Sequence, residues 1–283
     1  MNGVVQGPTS KVQSPLPYCV PSRRRFLTSL GAAAAGLATA PLLAQSGQTA
    51  QTTAAQGGTT TSGRRAGGPR SNEFVFARLR YNSGDWDYNS KVAANVLDAL
   101  VQYTTIPVYP EEIVITPDSE ELLSFPFVFM TGHTLVRFSA AERQNIVDFV
   151  DNGGLLFSDD CNHDINGLYA KSFEEEMRRA FPGPGTLDKL PNSHPIFRSF
   201  FQFPDGPPQT AHELNGWGDD IVHKYVRGIV AKRDGGDVRR GRLGVLYSNK
   251  DYGCEWDYDW RNKRFRTEDN TKFAVNVAVY VMT

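Results

Sequence analysis

Gly153-Gly154-Leu155-Leu156-Phe157-Ser158-Asp159-Asp160-Cys161-Asn162-His163-Asp164 is the stretch on which the reading of this chain turns. Two glycines end a helical pattern. A short apolar run follows, and acid, thiol, amide and imidazole groups then arrive together. A buried parallel strand opening at its carboxyl end has this form, and in open α/β sheets that edge is where ligands bind.

Outward from this stretch, apolar runs alternate with helical patterns. Residues 74–81 read as a first strand, ending in the turn Asn82-Ser83-Gly84-Asp85-Trp86-Asp87. Val92, Val96, Leu97, Leu100 and Val101 recur at helical spacing, with Asn89 or Ser90 as the cap. Residues 113–115 and 127–130 read as two further strands, the second ending at Thr131-Gly132-His133. Ser139-Ala140-Ala141-Glu142 has the form of a capping box and opens a helix that Asn152-Gly153-Gly154 stops. The fourth strand is residues 155–157, with 159–164 as its loop. Phe173, Met177 and Ala180 mark the next helix.

Residues 187–223 carry many prolines and aromatics and read as extended segments and loops over the site. Strands at 226–231 and 243–248 flank a charged tip at 233–242. The loop 249–256 and a last helix holding Phe273, Val277, Ala278 and Val281 close the chain. This alternation predicts an α/β fold with a doubly wound, mostly parallel sheet. Right-handed crossovers then gather the loops on one edge. They bring Asp85, Trp86, Asp87, His133, Asp159, Asp160, Cys161, His163, Asp251, Cys254 and Trp256 to one rim.

The first 72 residues read differently. Ser22-Arg23-Arg24-Arg25-Phe26-Leu27-Thr28 is a twin-arginine export pattern. An uncharged Ala- and Leu-rich stretch follows, with Ala38-Thr39-Ala40 and Ala44 as cleavage sites. The stretch is short and holds Gly31, Gly36 and Pro41, which argues against a stable membrane span after cleavage. Residues 1–44 are therefore expected to be a signal peptide. Residues 45–72, dominated by Gln, Thr, Ser, Gly and Ala, are expected to be a disordered linker. Residues 73–283 are expected to form a single domain in the periplasm or outside the cell. Four of the 30 basic residues and none of the 31 acidic ones lie in 1–44, which leaves 26 against 31, a net of −5. Without a basic stripe, nucleic acid is not an expected partner.

The segments Phe76 to Asp87 (FARLRYNSGDWD), Phe125 to His133 (FPFVFMTGH), Gly153 to Cys161 (GGLLFSDDC), His194-Pro195-Ile196 and Asp251 to Trp256 (DYGCEW) resemble the domain of unknown function 4159 family. The resemblance covers nearly all of 73–283. It implies a flavodoxin-like architecture similar to the class I glutamine amidotransferase-like group, near the trehalose-utilisation-protein-like domains.

Several chemistries compete at the rim. In amidotransferase-like folds a cysteine sits on a sharp strand-to-helix turn, and Cys161 falls near that place. Its neighbours are Asp160 and Asn162 with no glycine before Gly167, and the carboxyl-terminal His-x-Glu usual in amidotransferases is not visible. A nucleophilic thiol also needs a cation, which only His163 or His194 offers, while Asp159 and Asp160 oppose it. Asp159, Asp160, His163 and Asp164, joined by His133 and Asp85, are candidate metal donors, although no strict ligand spacing names the metal. The same acids equally serve as backbone caps. Cys161 and Cys254, if exported, are expected to pair as a disulfide. Trp86 and Trp256 are either platforms for a sugar ring or loop packing.

Three functions follow. The first is binding of a small polar ligand, a carbohydrate among the candidates. The second is hydrolysis by the paired carboxylates Asp159 and Asp160, with or without a metal, alongside Cys161. The third is a non-catalytic interaction module of an envelope assembly. No cofactor is named by any motif.

Overall fold

In the computed structural model, residues 68–215, 222–230, 241–257 and 267–283 are described. Pro69–Thr283 form one compact unit. The expected leader and nearly all of the linker, like most of the charged tip at 233–242, lie outside the described residues.

The expected sheet is present. Strands β1 (Ala77–Leu79), β2 (Ile113–Ile115), β3 (Phe127–Gly132), β4 (Leu155–Asp160), β5 (Asp188–Lys189), β6 (Arg227–Val230) and β7 (Leu243–Ser248) form one sheet in the order β2-β1-β3-β4-β7-β6-β5. The five strands from β2 to β7 are mutually parallel, in the flavodoxin-like order with its switch point between β1 and β3. β6 runs antiparallel to β7, and the short β5 antiparallel to β6.

Side chains alternate across β3 and β4, so the sheet carries a core on each face. Phe127, Phe129, Leu155 and Phe157 meet α1 (Val92–Tyr103), α5 (Tyr252–Asp257) and α6 (Thr267–Met282) on one side. Val128, Met130 and Leu156 meet α2 (Ala140–Asp151) and α3 (Leu168–Ala180) on the other. The capping box at Ser139 and Glu142 is formed in full. Gly153, at φ 93°, makes the left-handed turn that ends α2.

Five expectations change. The first strand is three residues long rather than eight, although Phe74 forms an isolated bridge to Val108. Neither Asn89 nor Ser90 caps α1; Lys91 holds that position and its amide donates to the Asp257 carboxylate at 2.6 Å. β4 runs three residues past Phe157, so Asp159 and Asp160 belong to the strand and not to its loop. The segment after β7 is not a loop but the helix α5, and the proline-rich excursion before β6 contains a short helix, α4 (Ala211–Asn215).

Candidate functional site

The carboxyl ends of β1, β3, β4 and β7 meet around Cys161, the residue just beyond β4. The residue is 3 % exposed. Asn89, from the loop after β1, donates its side-chain amide to Sγ at 3.1 Å. The Thr131 hydroxyl of β3 lies 3.7 Å away. The thiol itself donates to Asp251 Oδ1, beyond β7, at 3.1 Å. Asp251 Oδ1 also accepts from the Cys254 amide at 3.2 Å, which ties the first turn of α5 to the same carboxylate. His163 Nε2 stands 3.6 Å from the other oxygen, Oδ2.

Three of these neighbours have left-handed backbone: Asn89 (φ 58°), His163 (φ 54°) and Asp251 (φ 60°). Asn, Asp and His tolerate that region better than other non-glycine residues, but it still costs energy, and such residues gather at functional sites. The sharp strand-to-helix turn of amidotransferase-like folds, already disfavoured at Cys161 by its sequence neighbours, is not formed there. Cys161 continues the ladder by donating its amide to Gly132 O at 3.2 Å, while the sharp strand-to-helix turn with positive φ is at Asp251.

The expected disulfide is absent. The Cys161 and Cys254 Sγ atoms are 3.9 Å apart, well beyond the ~2.05 Å of a bond, and both residues are unbridged thiols. The ligand atoms of Cys161, Cys254 and Asp251 all lie within 4.8 Å of one another.

The two aspartates of β4 part company by the alternation of the strand. Asp159 faces α5, where its Oδ2 accepts from the Gly253 amide at 2.6 Å. Asp160 faces α3, accepting from the Asn162 amide at 2.9 Å and from the Tyr247 hydroxyl at 3.3 Å. Burial pushes each carboxyl up to about 7, against the pull of these donors. Asp159 and Asp160 thus do not flank a common space.

Asp85 caps the turn after β3. It accepts from the His133 and Thr134 amides at 2.9 and 3.2 Å and from the Thr134 hydroxyl at 3.0 Å, and pairs with His133 Nδ1 at 2.7 Å. Burial works to raise its pKa, yet the bonds from His133 and Thr134 hold the carboxyl well below the usual range. His133 packs its ring edge-on to Tyr88 at 4.2 Å.

A model of the domain of unknown function 4159 family matches residues 75–282. The chain belongs to this family. A comparison with curated proteins finds no match.

In this member of the family, the rim expected from sequence divides. Cys161, His163, Asp251 and Cys254 come together, and Asp85 pairs with His133. Asp87 is exposed and Asp164 caps its own turn through the Asn166 amide at 2.8 Å. Trp256 is not on the rim. It is 2 % exposed, lies against Phe129 and Phe157, and donates its indole N–H to Asn270 O at 2.8 Å. Trp86 packs on the α2–α3 core, with the Arg80 guanidinium over its ring. Two residues the motifs did not single out complete the site. Asn89 is held by Arg78, and Lys250, wholly buried, pairs with Glu213 of α4 and so ties the proline-rich excursion beside the rim. A charged residue inside the apolar run of β1 was the available signal for Arg78; nothing local marks Asn89.

Proposed function

We propose that this chain is an exported α/β domain that binds a small polar ligand at the carboxyl-end rim around Cys161. The observation that carries the reading is the ring of left-handed residues, Asn89, His163 and Asp251, set about one buried thiol. Backbone held in that region at three separate loops, two of them reaching the sulfur through Asn89 and Asp251 and the third placing His163 beside Asp251, is a cost that packing alone does not require. The ligand is polar, because amide, imidazole, carboxylate and thiol groups surround it. It does not depend on aromatic stacking, since Trp256 is in the core and Trp86 is covered by Arg80. The interaction-module reading is weakened by the unbridged cysteines. The paired-carboxylate hydrolase is weakened by the opposed directions of Asp159 and Asp160.

Export by the twin-arginine route to the periplasm or beyond is part of the proposal and rests on the Ser22–Thr28 pattern. Exchanging Arg23 and Arg24 for lysine should leave the chain in the cytoplasm. The binding site is tested by amide chemical-shift mapping against a library of polyols, sugar acids and amino acids. Shifts should cluster at residues 131–134, 161–163 and 251–254. Shifts clustered elsewhere, or none from any compound, would overturn the reading.

A further inference from the structure

We infer that Cys161, Cys254 and Asp251 form a transition-metal site of the zinc class, with one coordination position open to the ligand. The inference deepens the reading above and rests on the same rim. Two thiols and a carboxylate place their ligand atoms within 4.8 Å of one another, with two of the three residues buried.

The spacing fits a tetrahedron. With Zn–S bonds of about 2.3 Å, two sulfurs on a tetrahedral ion stand about 3.8 Å apart. Cys161 and Cys254 already stand 3.9 Å apart. A sulfur and a carboxylate oxygen on such an ion stand about 3.5 Å apart; Cys161 Sγ and Asp251 Oδ1 are 3.1 Å apart. On these two edges the ion therefore requires movements of a few tenths of an ångström where the thiol proton leaves, and the third edge, from Cys254 to Asp251, is within 4.8 Å. Two sulfur ligands select zinc-like ions over Mg²⁺ and Ca²⁺, which take oxygen.

Supporting bonds are in place around the three ligands. Asn89 donates to the Cys161 sulfur at 3.1 Å, and the Cys254 amide donates to Asp251 at 3.2 Å. Donors of this kind stabilise a thiolate and a bound carboxylate. His163 Nε2, 3.6 Å from Asp251 Oδ2, is the positioning residue for that carboxylate. Three protein ligands with a free fourth position is the arrangement of catalytic zinc sites, where water or a substrate atom completes the shell. Cys254, only partly buried, lies on the entry side. Binding releases the thiol protons to solvent, so affinity rises with pH.

The test uses the full chain, reduced and freed of metal by a chelator, with Co²⁺ and Zn²⁺ as probes and no organic compound present. Expected are one Co²⁺ per chain, near-ultraviolet sulfur-to-cobalt charge-transfer bands, and displacement by Zn²⁺. Zn²⁺ should protect both Cys161 and Cys254 from alkylation. Cys161→Ser and Cys254→Ser should each weaken the bands and the affinity, while His163→Ala should keep the bands and lose about 10–100-fold in affinity. Absence of the bands in the reduced protein, or alkylation unchanged by saturating Zn²⁺, overturns the site. The alkylation measurement needs no variant and decides the matter even if Cys161→Ser fails to fold. Amide shifts from a polar compound on the metal-free protein, without cobalt bands, would sink the metal and leave the ligand reading standing; bands with no shifts from any compound on either the metal-free or the zinc-loaded protein would do the reverse.

Discussion

The guanidinium of Arg78 donates to the carbonyls of Tyr88 and Asn89 at 2.8 and 3.0 Å, and this holds Asn89 in the conformation that presents its amide to Cys161. Arg78 is 2 % exposed and pairs with Glu112 at 2.5 Å. A rigid strand therefore sets a loop residue, and the loop residue sets the thiol.

Replacing Arg78 by Met strips two carbonyls and a carboxylate of their donor. The expected loss is about 2–4 kcal/mol in urea unfolding. Alkylation of Cys161 in the folded protein should also accelerate, because the Asn89 loop is released. Unchanged alkylation alongside reduced stability would mean that Asn89 is positioned by something else.

Asp85 gathers four donors on one carboxylate, two of them backbone amides. Asp85→Ala should cost roughly 1–3 kcal/mol, read as a fall in Tm. The sign of its pH dependence follows from its depressed pKa. The unfolded state binds the proton first as pH falls, so this contribution is present above about pH 4 and is lost below it. The wild-type and Asp85→Ala melting curves should accordingly converge in strong acid. Parallel curves would show that Asp85 is not held ionised.

The segments that could be read without the structure are those whose cause is local. The capping box at Ser139 and the glycine stop at Gly153 lie within a few residues of what they govern, and both are as expected. The extension of β4 through Ser158, Asp159 and Asp160 was hidden, because three polar residues look like a loop. Their burial depends on Tyr169 of the following helix and on Gly253 and Tyr247, which come from distant parts of the chain. The same reason moved Trp256 inward, since its indole needs the Asn270 carbonyl of α6. The thiol cluster was half legible. Cys161, His163, Asp251 and Cys254 followed strand ends and were placed on one rim, but Asn89 had the look of a helix cap.

His194 offers a second pH test, remote from the rim. Its Nδ1 accepts from the Ile196 amide at 3.2 Å, and burial lowers its pKa to about 4. The unfolded state takes up the proton near pH 6.5, before the folded state does. Stability from this group is therefore full above pH 6.5 and falls as pH drops toward 4. After allowance for partial exposure, the difference is on the order of 1–2 kcal/mol. Asp159, Asp160 and Glu255, raised by burial to about 7, act in the opposite direction over a similar range. Subtracting the His194→Gln profile from that of the wild type isolates the histidine. A flat difference between pH 4 and 7 would show that His194 titrates normally.

Gly253 links the strand acid to the thiol site. Its amide donates to Asp159 at 2.6 Å, and a Cβ added there would stand 2.7 Å from Asn89 Nδ2 and 3.2 Å from Asp159 Oδ2. Its φ is not in the left-handed region, so Gly253→Ala tests the space and not the backbone. The Asn89 amide is the atom that must give way, because Arg78 fixes its backbone and leaves only side-chain rotation. That rotation breaks the bond to Cys161. Gly253→Ala should thus cost about 1–3 kcal/mol of stability and loosen the thiol, seen as faster alkylation of Cys161. A second change, Asn89→Gly, removes the clashing amide and retains a residue that accepts φ 58°. In the Asn89→Gly background the alanine should cost markedly less. If the two losses simply add, the Asn89 side chain is not what Gly253 makes room for.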